Sequence, residues 1–205
     1  MDKGELLFRN LTYFRQCEGR VRGDVYEGIH QDNPGKDVVI HNVTTGFDSV
    51  GKFALLNSTD SDQIYGFCLS NRLDVRLMTD FSADACIEFF DQAEFIHRVK
   101  FALGRMVYVH RVGLLARPVD YYNPSEPALF EITDPKSLAF AKNESYRDQS
   151  EFRLVFGSRK AFKLIRQIVQ PHYDPYDDAL KKTPMERKLT IGSIHDIARL
   201  VSLEG

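Results

Sequence analysis

The chain has 205 residues, 43% of them hydrophobic and 27% charged, which suits one domain with its own core and no disulfide or metal staple. Its 27 lysines and arginines nearly balance 29 aspartates and glutamates, so no global field draws it to nucleic acid. Composition also excludes disorder, collagen-like repeats and coiled coil. The three cysteines, Cys17, Cys68 and Cys86, lack CxxC spacing and read as buried thiols, not as a secreted disulfide scaffold. No apolar run approaches the ~20 residues that span a bilayer. The stretch Met1 to Arg9 mixes acids and bases around Leu6-Leu7-Phe8, unlike a signal peptide. These features predict a soluble, cytoplasmic protein without a membrane partner.

In chain order, β-branched and aromatic content predicts a first strand over Leu6 to Phe14, with Arg15 at its end. A long connection, Glu18 to Gly35, follows, rich in glycine and charge and carrying Arg20, Arg22, Asp24, Tyr26 and Glu27. Structureless connections longer than ~12–15 residues are uncommon and often functional. Strands are expected over Val38 to Val43 and Ile64 to Leu69, then a polar connection over Asn71 to Ser82 and a strand over Ala85 to Phe89. Asp91 can cap a helix running to about Leu103, with Phe95, Val99 and Ala102 on one face. A strand over Met106 to Val112 precedes a third connection, Pro118 to Pro127, which holds Tyr121 and Tyr122. Thr133-Asp134-Pro135 opens a helix predicted to reach Asn143, since proline is favoured in a first helical turn. Strands over Glu151 to Phe156 and Leu189 to Ile191 come next, and a short helix from Ser193 or His195 to Val201 closes the chain. Strands outnumber helices without regular alternation, so the class is α+β and not a doubly wound parallel sheet.

Several chemistries are excluded by missing motifs. No GxGxxG follows a strand and no GxxxxGK[ST] exists, so the usual phosphate cradles are absent. There is no HExxH, no Cys/His cluster at zinc spacing, no EF-hand loop and no GxSxG elbow, and the six histidines are scattered. Three strings remain. Leu11-Thr12-Tyr13-Phe14-Arg15 is an apolar run ending in a cation, Tyr65-Gly66-Phe67-Cys68-Leu69-Ser70 is a strand ending in a hydroxyl, and in Asp148 to Phe156 polar residues lead straight into a strand. The period of two puts Gln149, Glu151 and Arg153 on one face if that strand begins early enough.

The ordered set of an arginine, an aromatic-led serine and Gln-x-Glu resembles the Arg–Ser–Glu class of ADP-ribosyltransferases. The resemblance implies a split, strongly bent mixed β-sheet with flanking helices and NAD as the substrate. It implies that Arg15 grips the NAD phosphates, Ser70 orders the nicotinamide side, Glu151 stabilises the oxocarbenium-like ribose, and Gln149 helps choose a protein or nucleic-acid acceptor. The middle site departs from the family's Ser-Thr-Ser, reading Ser70-Asn71-Arg72. The residue types fit that chemistry. A fixed carboxylate stabilises positive charge developing on the ribose, and a diphosphate favours a bidentate guanidinium. Arg20 or Arg22 could assist Arg15, and Tyr13, Tyr26 or Phe67 could stack on a base or on nicotinamide.

The chain also resembles a family of uncharacterised bacterial and phage proteins. That pattern, Tyr-x-Arg, Asp-x-x-Glu-Gly, Cys-x-Ser, and a late Lys before Glu-x-Glu-x-Arg, reads here as Tyr13 to Arg15, Asp24 to Gly28, Cys68 to Ser70, Lys142, and Gln149 to Arg153. It transfers no activity but brings phage–bacteria conflict into view. Two further readings stay open: a non-catalytic module on the same fold that sequesters a nucleotide or protein, and a nuclease in which Asp24, Glu27 and Glu151 gather Mg²⁺. The expected site is a cleft floored by Arg15, Ser70 and Glu151, with the Glu18 to Gly35 connection lying over it.

Overall fold

The computed structural model of the chain describes residues 1–17, 23–33, 35–170 and 182–202. In chain order its elements are β1 (Glu5–Asn10), α1 (Leu11–Gln16), β2 (Ile29–Asp32), β3 (Val38–His41), β4 (Asp48–Gly51), β5 (Ala54–Thr59), β6 (Ile64–Ser70), α2 (Val75–Asp80), β7 (Ala85–Phe89) and α3 (Gln92–Gly104). They continue with β8 (Leu115–Pro118), β9 (Asp120–Tyr122), α4 (Pro135–Leu138), β10 (Ala141–Asn143), a 3₁₀ turn (Glu144–Gln149), β11 (Glu151–Gly157), β12 (Leu164–Gln170), β13 (Glu186–Thr190) and β14 (Ala198–Ser202). The architecture is α+β. A five-stranded sheet runs β13-β1-β6-β11-β8, and a separate three-stranded sheet runs β12-β5-β2. Every ladder in these two sheets is antiparallel, whereas β9 and β10 pair in parallel.

Alternation along β6 and β11 gives the larger sheet two distinct faces. Tyr65, Leu154 and Phe156 join Phe8 of β1 on one face, where they pack against Phe95, Val99 and Leu103 of α3. Ile64 and Val155 face the other way, toward Leu11 of α1 and the Ala139–Phe140 segment after α4. Helix α3 forms where its sequence pattern places it: Asp91 Oδ1 accepts from Glu94 N at 2.9 Å, and the apolar stripe faces the sheet.

Four local expectations are corrected. The first strand stops at Asn10, whose Oδ1 accepts from Tyr13 N at 3.0 Å and starts α1, so Arg15 lies in a helix and not at a strand end. The helix begun at Pro135 ends at Leu138, because Ala141 to Asn143 are drawn into a parallel ladder with Asp120 to Tyr122. In place of a closing helix, Ala198 to Ser202 pair with Ala85 to Phe89 across the whole of β7. Met106 to Val112 makes turns and a single bridge, Val109 to Ser158, because its backbone hydrogen bonds close locally. The three connections are also less irregular than expected, since β2, α2 and β9 lie within them.

The turn after β11 depends on a residue without a side chain. A Cβ at Gly157 would sit 2.3 Å from Ala161 Cβ and 2.8 Å from the Phe162 ring. Gly157→Ala should therefore lower unfolding free energy in urea by about 1–3 kcal/mol, the usual range for overpacking.

Candidate functional site

Four charged side chains are buried together beneath the α1 face of the larger sheet: Glu27, Lys142, Glu151 and Arg153. Arg153 is the hub. Its Nη1 and Nη2 donate to the two oxygens of Glu27 at 2.8 and 3.0 Å, its Nε donates to Glu151 Oε1 at 2.7 Å, and Nη1 also donates to the Ala139 carbonyl at 2.9 Å. Lys142 Nζ donates to Glu151 Oε2 at 2.8 Å and to Gln149 Oε1 at 3.0 Å, and lies 3.7 Å from Glu27 Oε1. Two cations thus neutralise two anions, which is the condition under which such groups tolerate burial.

Each member is delivered by a different part of the chain. Glu27 comes from the turn before β2, which is held by Gly28 at φ +72°, where a Cβ would press on Leu11 and Thr59 at 3.0 and 3.1 Å. Lys142 projects from β10, and Glu151 and Arg153 from the same face of β11. The start of β11 is fixed further by Glu151 N donating to Tyr121 Oη at 2.8 Å. Arg15 braces the same turn from α1, its Nε donating to the Val25 carbonyl at 3.0 Å, and it is only 2% exposed. Tyr146 Oη donates to the Gly23 carbonyl at 2.8 Å, tying the 3₁₀ turn to this segment.

The electrostatics follow from this packing. Burial alone would raise Glu151, but Arg153 and Lys142 outweigh it and hold the carboxyl well below the ordinary range, so it stays ionised. Burial would likewise lower Lys142, yet Glu151 and Glu27 keep its ammonium charged. Asp24 goes the other way. It is 2% exposed, its Oδ1 accepts from Tyr26 N, and its Oδ2 has no hydrogen-bond partner among the described residues. Burial, and then the Glu27 charge, push it up to about 6. Cys68 keeps accessible surface although its thiol is crowded by protein atoms. The desolvation this implies and the adjacent Glu151 carboxylate both disfavour a thiolate, and the carboxylate argument holds even for a surface-accessible sulfur.

The expected residues meet in part. Ser70 lies directly across the ladder from Glu151, and its exposed hydroxyl donates to the Gln149 carbonyl at 2.9 Å. Gln149 precedes Ser150, whose left-handed backbone (φ 45°, ψ 47°) turns the chain into β11. Gln149, Ser70 and Glu151 therefore share one end of the β6–β11 ladder. Arg15 touches the turn that carries Glu27, its Nε donating to the Val25 backbone carbonyl. Phe67 packs on the opposite face of the sheet, 5.5 Å from Phe8, as part of the α3 core. Tyr13 is half-buried, with the Arg9 guanidinium 4.2 Å over its ring. Arg20 and Arg22 lie outside the described residues. A cavity of about 430 Å³ is lined by Ser70 and Phe152 but not by Arg15 or Glu151.

The transferase-like ordering passed over Glu27, Lys142, Arg153 and Tyr121. The first three belong to the other pattern, Asp-x-x-Glu-Gly, Lys and Gln-x-Glu-x-Arg, whose elements all contribute to this cluster. Among the described residues no group of His, Cys, Asp and Glu is placed to share a metal ion, and Glu27 and Glu151 are each turned onto Arg153. Compared with known protein families, with characterised proteins and with solved structures, the chain gives no match.

Two outcomes follow. The Asp24 carboxyl binds its proton more tightly folded than unfolded, so its contribution to folding stability falls as pH rises from about 3.8 to about 6 and is level above. Asp24→Asn removes the penalty and should raise stability at pH 7 by roughly 1–3 kcal/mol, with the gain vanishing near pH 4, as read by thermal melts across pH. Glu27→Ala leaves Arg153 without its bidentate partner and should cost about 3–5 kcal/mol in denaturant unfolding.

Proposed function

We propose that the chain binds NAD at the end of the β6–β11 ladder and transfers its ADP-ribose to a protein or nucleic-acid acceptor. The observation that carries this reading is that Ser70 meets Gln149, 79 positions away in sequence, and its neighbour Glu151 at one strand end. In the reaction the bond between nicotinamide and ribose breaks, nicotinamide leaves with the electron pair, and an acceptor nucleophile forms the new bond to the ribose carbon while losing its proton. A carboxylate held in its charged form stabilises the cationic ribose between these events. Glu151 suits that electrostatic role better than that of a base, because Arg153 and Lys142 make it a weak proton acceptor. Its two oxygens face Arg153 and Lys142, so the ribose approaches as Lys142 moves off Oε2 and onto Gln149 or Glu27, both already within 3.7 Å. Arg15, whose Nε donates to the Val25 carbonyl, is the diphosphate cation in this reading and also braces the Asp24–Glu27 turn.

A specific observation favours a second reading, a non-catalytic nucleotide- or protein-binding module. Glu151 is only 4% exposed and both its oxygens are engaged, as befits a carboxylate that holds the fold.

Nicotinamide release from NAD, with water or a supplied acceptor, separates the two. The transferase releases nicotinamide, and Glu151→Gln lowers the rate by about 10²–10³-fold, the size of loss seen when one fixed transition-state contact is removed. Ser70→Ala, which removes the hydroxyl bond to the Gln149 carbonyl, should lower it as well, with the fold checked by circular dichroism. Saturable NAD binding in calorimetry without release selects the binding module, and neither binding nor release overturns the NAD reading altogether.

A further inference from the structure

The same two strands border a second space on their opposite side, and it is chemically unlike the Glu151 cluster. Phe152 and Leu69, cross-strand partners, line the cavity of about 430 Å³ together with Leu77, Met78, Phe95 and Ile96. Its walls are α2, α3 and β7, and its volume falls in the ~300–1,000 Å³ range of small-molecule sites. The interior is apolar: Leu77, Met78 and Phe95 are buried, and Phe89 stacks on Phe95 with centroids 3.9 Å apart.

Charge is confined to the mouth. Glu88 is neutralised by Arg199, whose Nε lies 2.6 Å from Glu88 Oε2. Asp74 spends Oδ1 on capping α2 through Arg76 N at 2.8 Å. Asp74 keeps its negative charge while it caps, and Arg72 is the cation of the mouth that pairs with no carboxylate among the described residues. Arg72 is exposed, and its Nη2 donates to the Asp148 carbonyl at 3.0 Å. An apolar chamber of one-ligand size with a guanidinium at its rim fits a molecule with a hydrocarbon body and an anionic end.

We propose that this cavity binds a small amphipathic carboxylate, the hydrocarbon body lying between Phe152 and α2 and the carboxylate at Arg72. The inference does not rest on the NAD reading: Ser70 borders both spaces, but the apolar lining of Leu69 and Phe152 faces away from Glu151.

Calorimetry with decanoate, decanol and decylamine on the full chain, each below its micelle concentration, tests it. Decanoate should saturate at one per chain, with decylamine at least tenfold weaker. Arg72→Ala should weaken decanoate about tenfold, the loss of one charge-assisted contact, and leave decanol unchanged. Ala85→Phe, which fills the chamber from β7, should abolish binding of both decanoate and decanol, with the fold checked by circular dichroism. Absence of saturable decanoate binding overturns the proposal. So does equal binding of decanoate and decylamine, insensitivity to Arg72→Ala, or full binding by folded Ala85→Phe; if Ala85→Phe does not fold, the head-group series and Arg72→Ala decide.

Discussion

The interior of this protein is organised by the Arg153 guanidinium. A buried arginine cannot shed its proton and brings five N–H donors that need acceptors. Here they are met by a bidentate Glu27, by Glu151 two residues away on the same strand, and by the carbonyl of Ala139. Those acceptors belong to the turn before β2, to β11 and to the end of α4. One side chain therefore fixes the relative position of segments that would otherwise meet only through apolar contact. Lys142 completes the set, because Glu27 and Glu151 together carry one more negative charge than Arg153 alone can offset. The arrangement is all-or-none, since loss of any one partner leaves a buried charge uncompensated.

Much of the secondary structure was legible because its causes are local. Helix α3 carries its cap at Asp91 and its core stripe within a single stretch, and β6, β7 and β11 are short apolar or aromatic runs bounded by polar residues. Three of the failures involve residues far away in sequence. Leu11 to Gln16 has the same apolar content as the strand before it, and what separates them is Asn10, whose amide is fixed by Thr183 and Met185 from the far end of the chain. Ala141 to Asn143 and Ala198 to Ser202 have acceptable helical composition, but each is claimed by a ladder partner well removed in sequence. Non-local pairing overrode local propensity in these last two cases.

The site divides in the same way. The order of polar motifs along the chain was readable, and the alternation of Gln149, Glu151 and Arg153 correctly put Glu151 and Arg153 on one face. The partner of Arg153 was not, because Glu27 lies 126 residues away in a turn whose burial no periodicity announces. Arg15 illustrates the converse. An arginine after an apolar run reads as the end of a strand, yet the cap at Asn10 turns the chain into a helix, where Arg15 is buried and its Nε donates to the Val25 carbonyl.

The two faces of the β6–β11 pair have separate properties because each strand changes side with every residue. On one side Ser70 and Glu151 meet a charged network whose strength comes from exclusion of water. On the other, Leu69 and Phe152 line an apolar chamber with its charge at the rim. The segments joining these faces are short and tied together: Ser70 Oγ donates to Gln149, Asn71 N to Ser150, and Arg72 Nη2 to Asp148. Ser150 stands in that strap in a left-handed conformation, which a residue other than glycine holds only when its surroundings impose it. Two of the strap's bonds come from Asn71 and Arg72, which line the apolar chamber. The geometry of Gln149 and the start of β11, on which the charged face depends, is therefore set partly from the opposite side of the sheet.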